Sequence, residues 1–285
     1  MIALGFCAAL TAPAGHAVNE YQFAVDASFS QSRDSGGTEF DSVRIGGEVF
    51  LRPVAYGDYP YAEATFFDRQ SSLRLTVGRD ELEMESVEFN GPAYHAGFTL
   101  ADSRTPLTFD FDYIDEEVVS SAGVGAEVNA WAGRLGYYLA WPALVWVSFE
   151  QQSGQFKSPV VNEDLPDYNR WSVGVKSVSV MENATALNLE ASLLWEWADP
   201  ASRDEDRQNE FDVSLDYYIN KSASIGAGYR RNWGDDAREE GNAFLGRAEI
   251  YISPVAWVSL TLIEFDADHR GYDDSATEIL VGLRY

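Results

Sequence analysis

The chain has 285 residues, 46% of them hydrophobic and 14% aromatic, with 20 basic against 46 acidic side chains for a formal charge of −26. The length suits one domain or two, the aromatic content excludes a disordered chain, and the acidic excess excludes nucleic acid as a partner, because phosphates would be repelled. A single cysteine, Cys7, excludes a structural disulfide and a cysteine-based metal site.

Residues 2–12 form an apolar run, followed by Pro13 and by Gly15-His16-Ala17. Small residues at 15 and 17 fit a signal-peptidase site after Ala17, and the run is shorter than the roughly 20 residues a membrane-spanning helix needs. Residues 1–17 are therefore expected to be an exported leader, lacking the usual basic start, and 18–285 the mature domain. Phe6 stands where a lipobox wants a small residue, so Cys7 is not read as a lipid anchor.

After the leader, period-two alternation dominates. Strands are expected at 21–31, where Tyr21, Phe23, Val25, Ala27 and Phe29 alternate with Gln22, Ala24, Asp26 and Ser28, and at 42–52, with Val43, Ile45, Val49 and Leu51 on one face. The segment 59–68 reads as a short periplasmic helix, followed by one strand near 71–86. Read instead as a strand, it splits its successor into 71–78 and 82–88. Further strands are expected at 92–100, 106–114, 126–139, 143–152, 168–180, 185–198, 210–219, 223–233, 243–253, 256–267 and 275–285. The total is 14, or 16 with the alternative split, and both are even, as for bacterial single-chain barrels.

Soluble sandwiches alternate too. Three features separate this chain from them. Several strands run to 10 residues or more, long enough to cross a bilayer where soluble strands average about 5–6. Short connections at Asn220-Lys221 and Ser253-Pro254-Val255 trade places with longer polar ones at 152–167, 199–208, 233–241 and 266–274. Aromatic residues gather at strand ends: Tyr137, Tyr138, Trp141, Tyr217, Tyr218, Tyr251, Trp257 and Tyr285 near short turns, and Tyr168, Trp171, Trp195, Trp197, Tyr229, Trp233 and Phe265 near long loops. These predict two interfacial girdles. The fold class is thus all-β, a transmembrane antiparallel β-barrel.

The closing Leu283-Arg284-Tyr285 resembles the C-terminal assembly signal of outer-membrane porins, with Tyr285 as its aromatic last residue. The segment Tyr61-Ala62-Glu63-Ala64-Thr65-Phe66-Phe67-Asp68-Arg69 with Ser71-Ser72, and Glu20-Tyr21-Gln22-Phe23, resemble the putative general bacterial porin family. The resemblance implies an outer-membrane location in a Gram-negative bacterium. Its implied partners are outer-membrane lipid and lipopolysaccharide, the barrel assembly machinery and small hydrophilic solutes. The Pro-Glu-Phe-Gly-Gly motif of trimeric general porins is absent, so the resemblance extends neither to an inward-folded third loop nor to trimerisation.

Taking the polar phase of each strand as inward gives a lumen lined by Arg44, Arg74, Arg134, Lys176, Arg230, Arg247 and Arg284. The same phase places Asp26, Glu48, Asp110, Asp112, Glu150, Glu190, Glu196, Asp212, Asp216, Glu249 and Glu278 inside. Charges at that density need water or partners, and a 14-strand barrel is too wide for side chains alone to fill. A channel for ions and small hydrophilic solutes follows, with a modest cation preference because acids outnumber bases. Arg44, Arg74, Arg230, Arg247 and Arg284 are placed on one wall, facing Asp110, Asp112, Glu190 and Glu196. No cofactor is called for. His95 is expected to face the lumen, but Ser86 and Ser103 stand at no recognisable spacing for a barrel hydrolase. His269 after Asp266 and Asp268 reads as part of a solvated acidic loop, and the alternative to a channel is an enzymatic or adhesive barrel acting through its outer loops.

Overall fold

In the computed structural model the described residues are 20–84, 87–140, 142–158, 162–181, 185–198, 207–234, 240–267 and 274–285. They form 14 antiparallel strands closed into one barrel. In chain order these are β1 (Glu20–Asp34), β2 (Glu39–Ala55), β3 (Ser72–Met84), β4 (Val87–Ala101), β5 (Leu107–Ser120), β6 (Gly125–Ala140) and β7 (Ala143–Lys157). They continue as β8 (Asn162–Val180), β9 (Ala186–Ala198), β10 (Arg207–Asn220), β11 (Ala223–Gly234), β12 (Gly241–Ser253), β13 (Ala256–Ala267) and β14 (Asp274–Arg284). Each strand pairs with its chain neighbours, and β14 pairs with β1. The 16-strand alternative is excluded, because residues 72–84 form one strand and 61–68 are helical.

Closure is what lipid demands, since every strand's backbone donors and acceptors are then paired with none left on an edge. The outer phase supplies the lipid face: Val25, Phe29, Val43, Ile45, Leu73, Leu75, Leu189, Leu260, Leu262, Ile279 and Val281 are all exposed. No helix among the described residues is long and apolar enough to cross a membrane; the strands do so.

The strands outrun the alternation that announced them. β5 continues to Ser120 and β7 to Lys157, and the expected long loop 152–167 is largely strand. Above the bilayer both faces of a strand meet water, so the hydropathy pattern fades while backbone pairing continues. The outer connections at 35–38 and 121–124 are tight turns, so the third outer loop does not fold inward. The acidic stretches Asp204-Glu205-Asp206 and Asp235-Asp236, together with His269, Trp141 and the leader 1–17, lie outside the described residues.

The end carrying Glu20 and Tyr285 also carries the two-residue turns 221–222 and 254–255, which marks it as periplasmic. It also holds a long connection, 56–71, which contains a 3-10 turn at Tyr61–Glu63 and helix α1 (Ala64–Asp68). The short helix expected here is therefore present, but it does not hang below the barrel. It folds into the mouth.

The expected girdles are only partly built. Tyr137, Tyr217, Trp171, Trp195 and Trp233 face outward. Tyr218 and Tyr251 are buried instead, and Tyr138 touches the inserted segment. Tyr21 also turns inward, because a register shift between Tyr21 and Phe23 breaks the phase at the start of β1.

The barrel seam ends on Tyr285, whose carbonyl accepts from the Gln22 and Phe23 amides at 2.6 and 2.8 Å while its amide donates to the Phe23 carbonyl at 2.8 Å. Deleting Tyr285 removes these three bonds at the closing edge. The heat-modifiable folded fraction on gels should fall, and an unchanged yield in cells would show that the seam closes without them.

Candidate functional site: the lumen and its periplasmic mouth

Cross-strand register fixes which side chains share the inner face, because directly paired residues point the same way. The chain of pairs Glu48, Arg74, Gly97 and Asp112 runs from β2 to β5, and on the other wall Lys176 faces Glu190 while Asp212 faces Arg230. By the same register Asp110 shares a face with Arg134, and Arg247 with Glu278 through Thr261.

The lumen charges do not divide into a basic and an acidic wall. They interleave. Arg74 forms a fork with Asp112, Nε to Oδ1 at 2.9 Å and Nη2 to Oδ2 at 2.8 Å, and its Nη1 donates to Thr99, which donates to Asp110 at 2.7 Å. Arg247 clasps Asp216 through Nε at 3.1 Å and through Nη2. Arg230 lies between Asp212 and Glu210, at 3.2 and 3.4 Å. Glu48 accepts from the Ser72 hydroxyl at 2.5 Å, and Arg134 stacks on Trp146, 4.4 Å from the ring centre. The expected opposition fails because a barrel places adjacent strands' charges within reach, and a pair on neighbouring walls recovers Coulomb energy that two charges facing across water cannot.

Glycine makes the flat, wall-hugging pairs possible. A Cβ on Gly97 would stand 2.3 Å from Asp112 Oδ1 and 2.9 Å from Arg74 Nε. One on Gly226 would stand 2.0 Å from Asp216 Oδ1. Each glycine leaves the space in which its neighbours' carboxylate and guanidinium meet.

Several members of the network went unpredicted. Arg170 bridges Glu150 at 3.0 Å and Glu196, yet it shares the parity of Lys176 and that phase rule alone finds it. Glu116 lies on a strand extension beyond the alternating core, and Asp80 lies within the expected strand in the phase of Arg74. Glu210 was passed over in the same phase as Asp212. On β12 and β13 the inner face is locally apolar: Leu245 pairs with Ile263 and Ala243 with Phe265.

The mouth is crossed by residues 56–68. At one side Tyr56 and Ala64 pack with Tyr21, Phe50 and Val54; at the other Phe66 and Phe67 pack with Val178, Ala186 and Tyr218. Between them Glu63 is 3% exposed. Its carboxylate meets Lys176 at 2.8 Å and accepts from the Tyr218 hydroxyl at 2.6 Å, so the buried charge is paired and hydrogen-bonded. Lys176 also stands 5.2 Å from the Phe66 ring. The Tyr61 amide donates to the Lys221 carbonyl at 3.0 Å, and Lys221 Nζ returns a bond to the Gly57 carbonyl at 2.9 Å. Arg284, counted by phase among pore-lining residues, is buried under this segment. It lies 4.8 Å from Tyr21 and from Trp257 and 5.1 Å from Tyr251, and donates to the Tyr61 carbonyl at 2.8 Å. A ring cage suits a weakly hydrated guanidinium. Arg69, in a left-handed conformation at φ 51°, ends α1 and stacks 3.9 Å over Tyr138.

No family model and no curated protein matches the chain. Among solved structures it is similar to the outer membrane protein Omp33 of Acinetobacter baumannii, with a TM-score of 0.60 at 16% identity over 94% of this chain and 99% of that one. It is also similar to CymD, a monoaromatic hydrocarbon channel, with a TM-score of 0.59 at 10% identity over 93% of this chain and 89% of that one. At such identities the likeness speaks for the fold, and the fold is that of outer-membrane β-barrels.

Asp216 is 2% exposed and holds Arg247 and the Asn188 amide, the latter at 3.1 Å. Asp216→Ala strands both donors and should cost about 1–3 kcal/mol. A lower denaturation midpoint in detergent checks this, and Gly226→Val, which drives a side chain into the same carboxylate, should lower it at least as far.

Proposed function

We propose that the protein is an outer-membrane channel for ions and small hydrophilic solutes, with the inserted 56–68 segment as its periplasmic gate. The observation that carries the reading is the inner face itself. A wall with this many ion pairs, most of them partly exposed, requires water inside the barrel, and a water-filled barrel conducts when its ends are open. The fold shared with CymD, a monoaromatic hydrocarbon channel, supports this reading. The resemblance to the putative general bacterial porin family rests on the residues around Tyr61–Arg69 and Glu20–Phe23, and the first of these stretches is the gate.

The gate is positioned by polar contacts at its middle and held by apolar packing on either side. Glu63 is the anchor: it meets Lys176 on β8 and Tyr218 on β10, far across the mouth from the β2–β3 connection that carries it. Tyr61 fixes the segment to the turn after β10 and to Arg284. Charge inside the lumen favours acids, since Asp26, Glu48, Glu190, Glu249 and Glu278 add to the paired carboxylates on the inner face. The open channel should therefore prefer cations modestly, and more so in dilute salt, where the Debye length grows from about 10 Å at 0.1 M to about 30 Å at 0.01 M.

Planar-bilayer recordings test both statements. Wild-type protein should show brief openings and a reversal potential of cationic sign across a KCl gradient. Glu63→Gln and Lys176→Met each remove the ion pair at the anchor; a loss of about 1.4 kcal/mol shifts the closed–open balance about tenfold toward open. Equal open probability in wild type and both variants would reject the segment as gate, an anionic reversal potential would reject the selectivity, and absence of current in all three would reject conduction.

A further inference from the structure

High on the inner wall between β2 and β5, three charged side chains gather beside one imidazole. Arg44 Nη1 lies 2.9 Å from His95 Nε2, and the same Nε2 lies 3.0 Å from Glu116 Oε1. Arg44 Nη2 donates to Glu116 Oε1 at 2.8 Å and lies 3.4 and 3.5 Å from the two oxygens of Asp80. Arg44 Nε donates to Ser42 at 3.0 Å. The arginine reaches from β2 to β5 because the residue paired with it on β3 is Gly78, where a Cβ would stand 2.6 Å from Arg44 Cγ.

A ring nitrogen carries either a lone pair or a hydrogen, and a guanidinium only donates. Arg44 can donate to Nε2 only in the state in which Nε2 is the bare acceptor, that of the neutral ring. Its 3.0 Å approach to Glu116 is then a meeting of two acceptors, bridged by one arginine fork. A proton added at Nε2 reverses this. The ring now donates to Glu116 directly and presents N–H to the N–H of Arg44, which must withdraw. Asp80 is already beside it, its side chain 2% exposed and its oxygens just beyond good hydrogen-bond length.

We propose that Arg44, His95, Glu116 and Asp80 form a proton-operated switch in the lumen wall, in which protonation of His95 moves Arg44 from Glu116 to Asp80 and weakens the channel's preference for cations. The proposal rests on the conduction reading for its consequence, though not for the switch itself. The other groups facing His95 do not compete for the proton's effect. Across β3 its paired residue is Thr76 and across β5 it is Ile114, both neutral. Arg74 on β3 and Asp112 on β5 are forked to each other. Around the ring the charge changes from one net negative (Arg44 against Asp80 and Glu116) to zero. Imidazole is the side chain whose charge changes between about pH 5 and 8, where carboxylates and guanidinium stay ionised, so the effect has a distinct window.

Two measurements decide it. The first is the reversal potential of the reconstituted protein across a KCl gradient at about pH 8 and about pH 5.5. The cation-to-anion permeability ratio should fall on the order of twofold on acidification, and the fall should vanish in His95→Gln. A pH dependence retained in His95→Gln, or none in the wild type, overturns the proposal. The second needs no current: side-chain NMR of the detergent-solubilised barrel carrying His16→Gln and His269→Gln, so that His95 is the imidazole observed. The His95 ring and the Arg44 guanidinium signals should move together with one midpoint, and Glu116→Gln should uncouple them. A His95 titration that leaves Arg44 unmoved, or no His95 titration between about pH 5 and 8, overturns the switch even if the channel conducts. Coupled signals without current instead uphold the switch and reject the conduction reading.

Discussion

Backbone hydrogen bonding in hydrocarbon is the constraint from which the rest descends. A strand in lipid has no water to satisfy its amides and carbonyls, so each must find a neighbour and the last must find the first. In this chain β14 meets β1 along an eleven-step register from Ala24 with Arg284 to Asp34 with Asp274. Once the ring is closed, strand parity leaves no freedom: alternate side chains face lipid or lumen for the full height of the wall. The apolar residues of one phase fulfil the first demand. The second phase is then free to be charged, because it faces an aqueous interior whose desolvation cost is low.

The interior charges nonetheless pair almost wherever strands bring opposite signs together. The pairs are partly exposed, so each contributes modest stability of its own. Their larger effect is to fix side-chain direction. Arg74 and Asp112 lie against the wall over Gly97, and Arg247 and Asp216 over Gly226. Arginine laid flat in this way leaves the lumen clear, whereas the same side chain unpaired would extend across it. Strand number sets the barrel's diameter, and glycine placement keeps side chains from narrowing it.

Fold class was legible, and strand number down to a choice of 14 or 16, because both follow from a period of two. The limits of legibility are equally physical. Where both faces of a strand are wet, as at Glu116 or Lys157, hydropathy carries no phase and the strand ends too early in the sequence. Where a bulge shifts phase, as at Tyr21, the same rule points the side chain the wrong way. Arg170 and Asp80 obeyed the rule and were missed for want of applying it to every residue. Tyr218, Tyr251 and Trp257 belonged to an expected girdle by composition, yet two of them are buried and Trp257 stacks against Arg284, because amphipathic rings suit a plug interface as well as a headgroup layer. Nothing in a local pattern tells these apart. The distinction depends on segment 56–68 reaching residues more than a hundred positions away.

That reach also explains how a buried carboxylate can anchor a segment without locking it. Glu63 loses its water on insertion and recovers the loss only through Lys176 and Tyr218, a balance that in buried pairs sits near neutrality. Its partner has an alternative. Lys176 is paired in register with Glu190 on the adjacent strand, so withdrawal of Glu63 leaves the lysine facing a second carboxylate instead of bare wall. Glu63 in turn gains water when it leaves. The cost of breaking the anchor is therefore repaid in part at both ends, and the rest of the hold comes from the apolar surface around it: Phe66 and Phe67 against Val178 and Ala186, Tyr56 and Ala64 against Val54 and Phe50. Burial supplies the affinity of the segment for the mouth and the charges supply its position. In the proposed gate, a closure divided in this way is stable at rest yet separated from the open state by exchange between partners of like kind, which is what a barrel needs if this long periplasmic connection is to move while its wall does not.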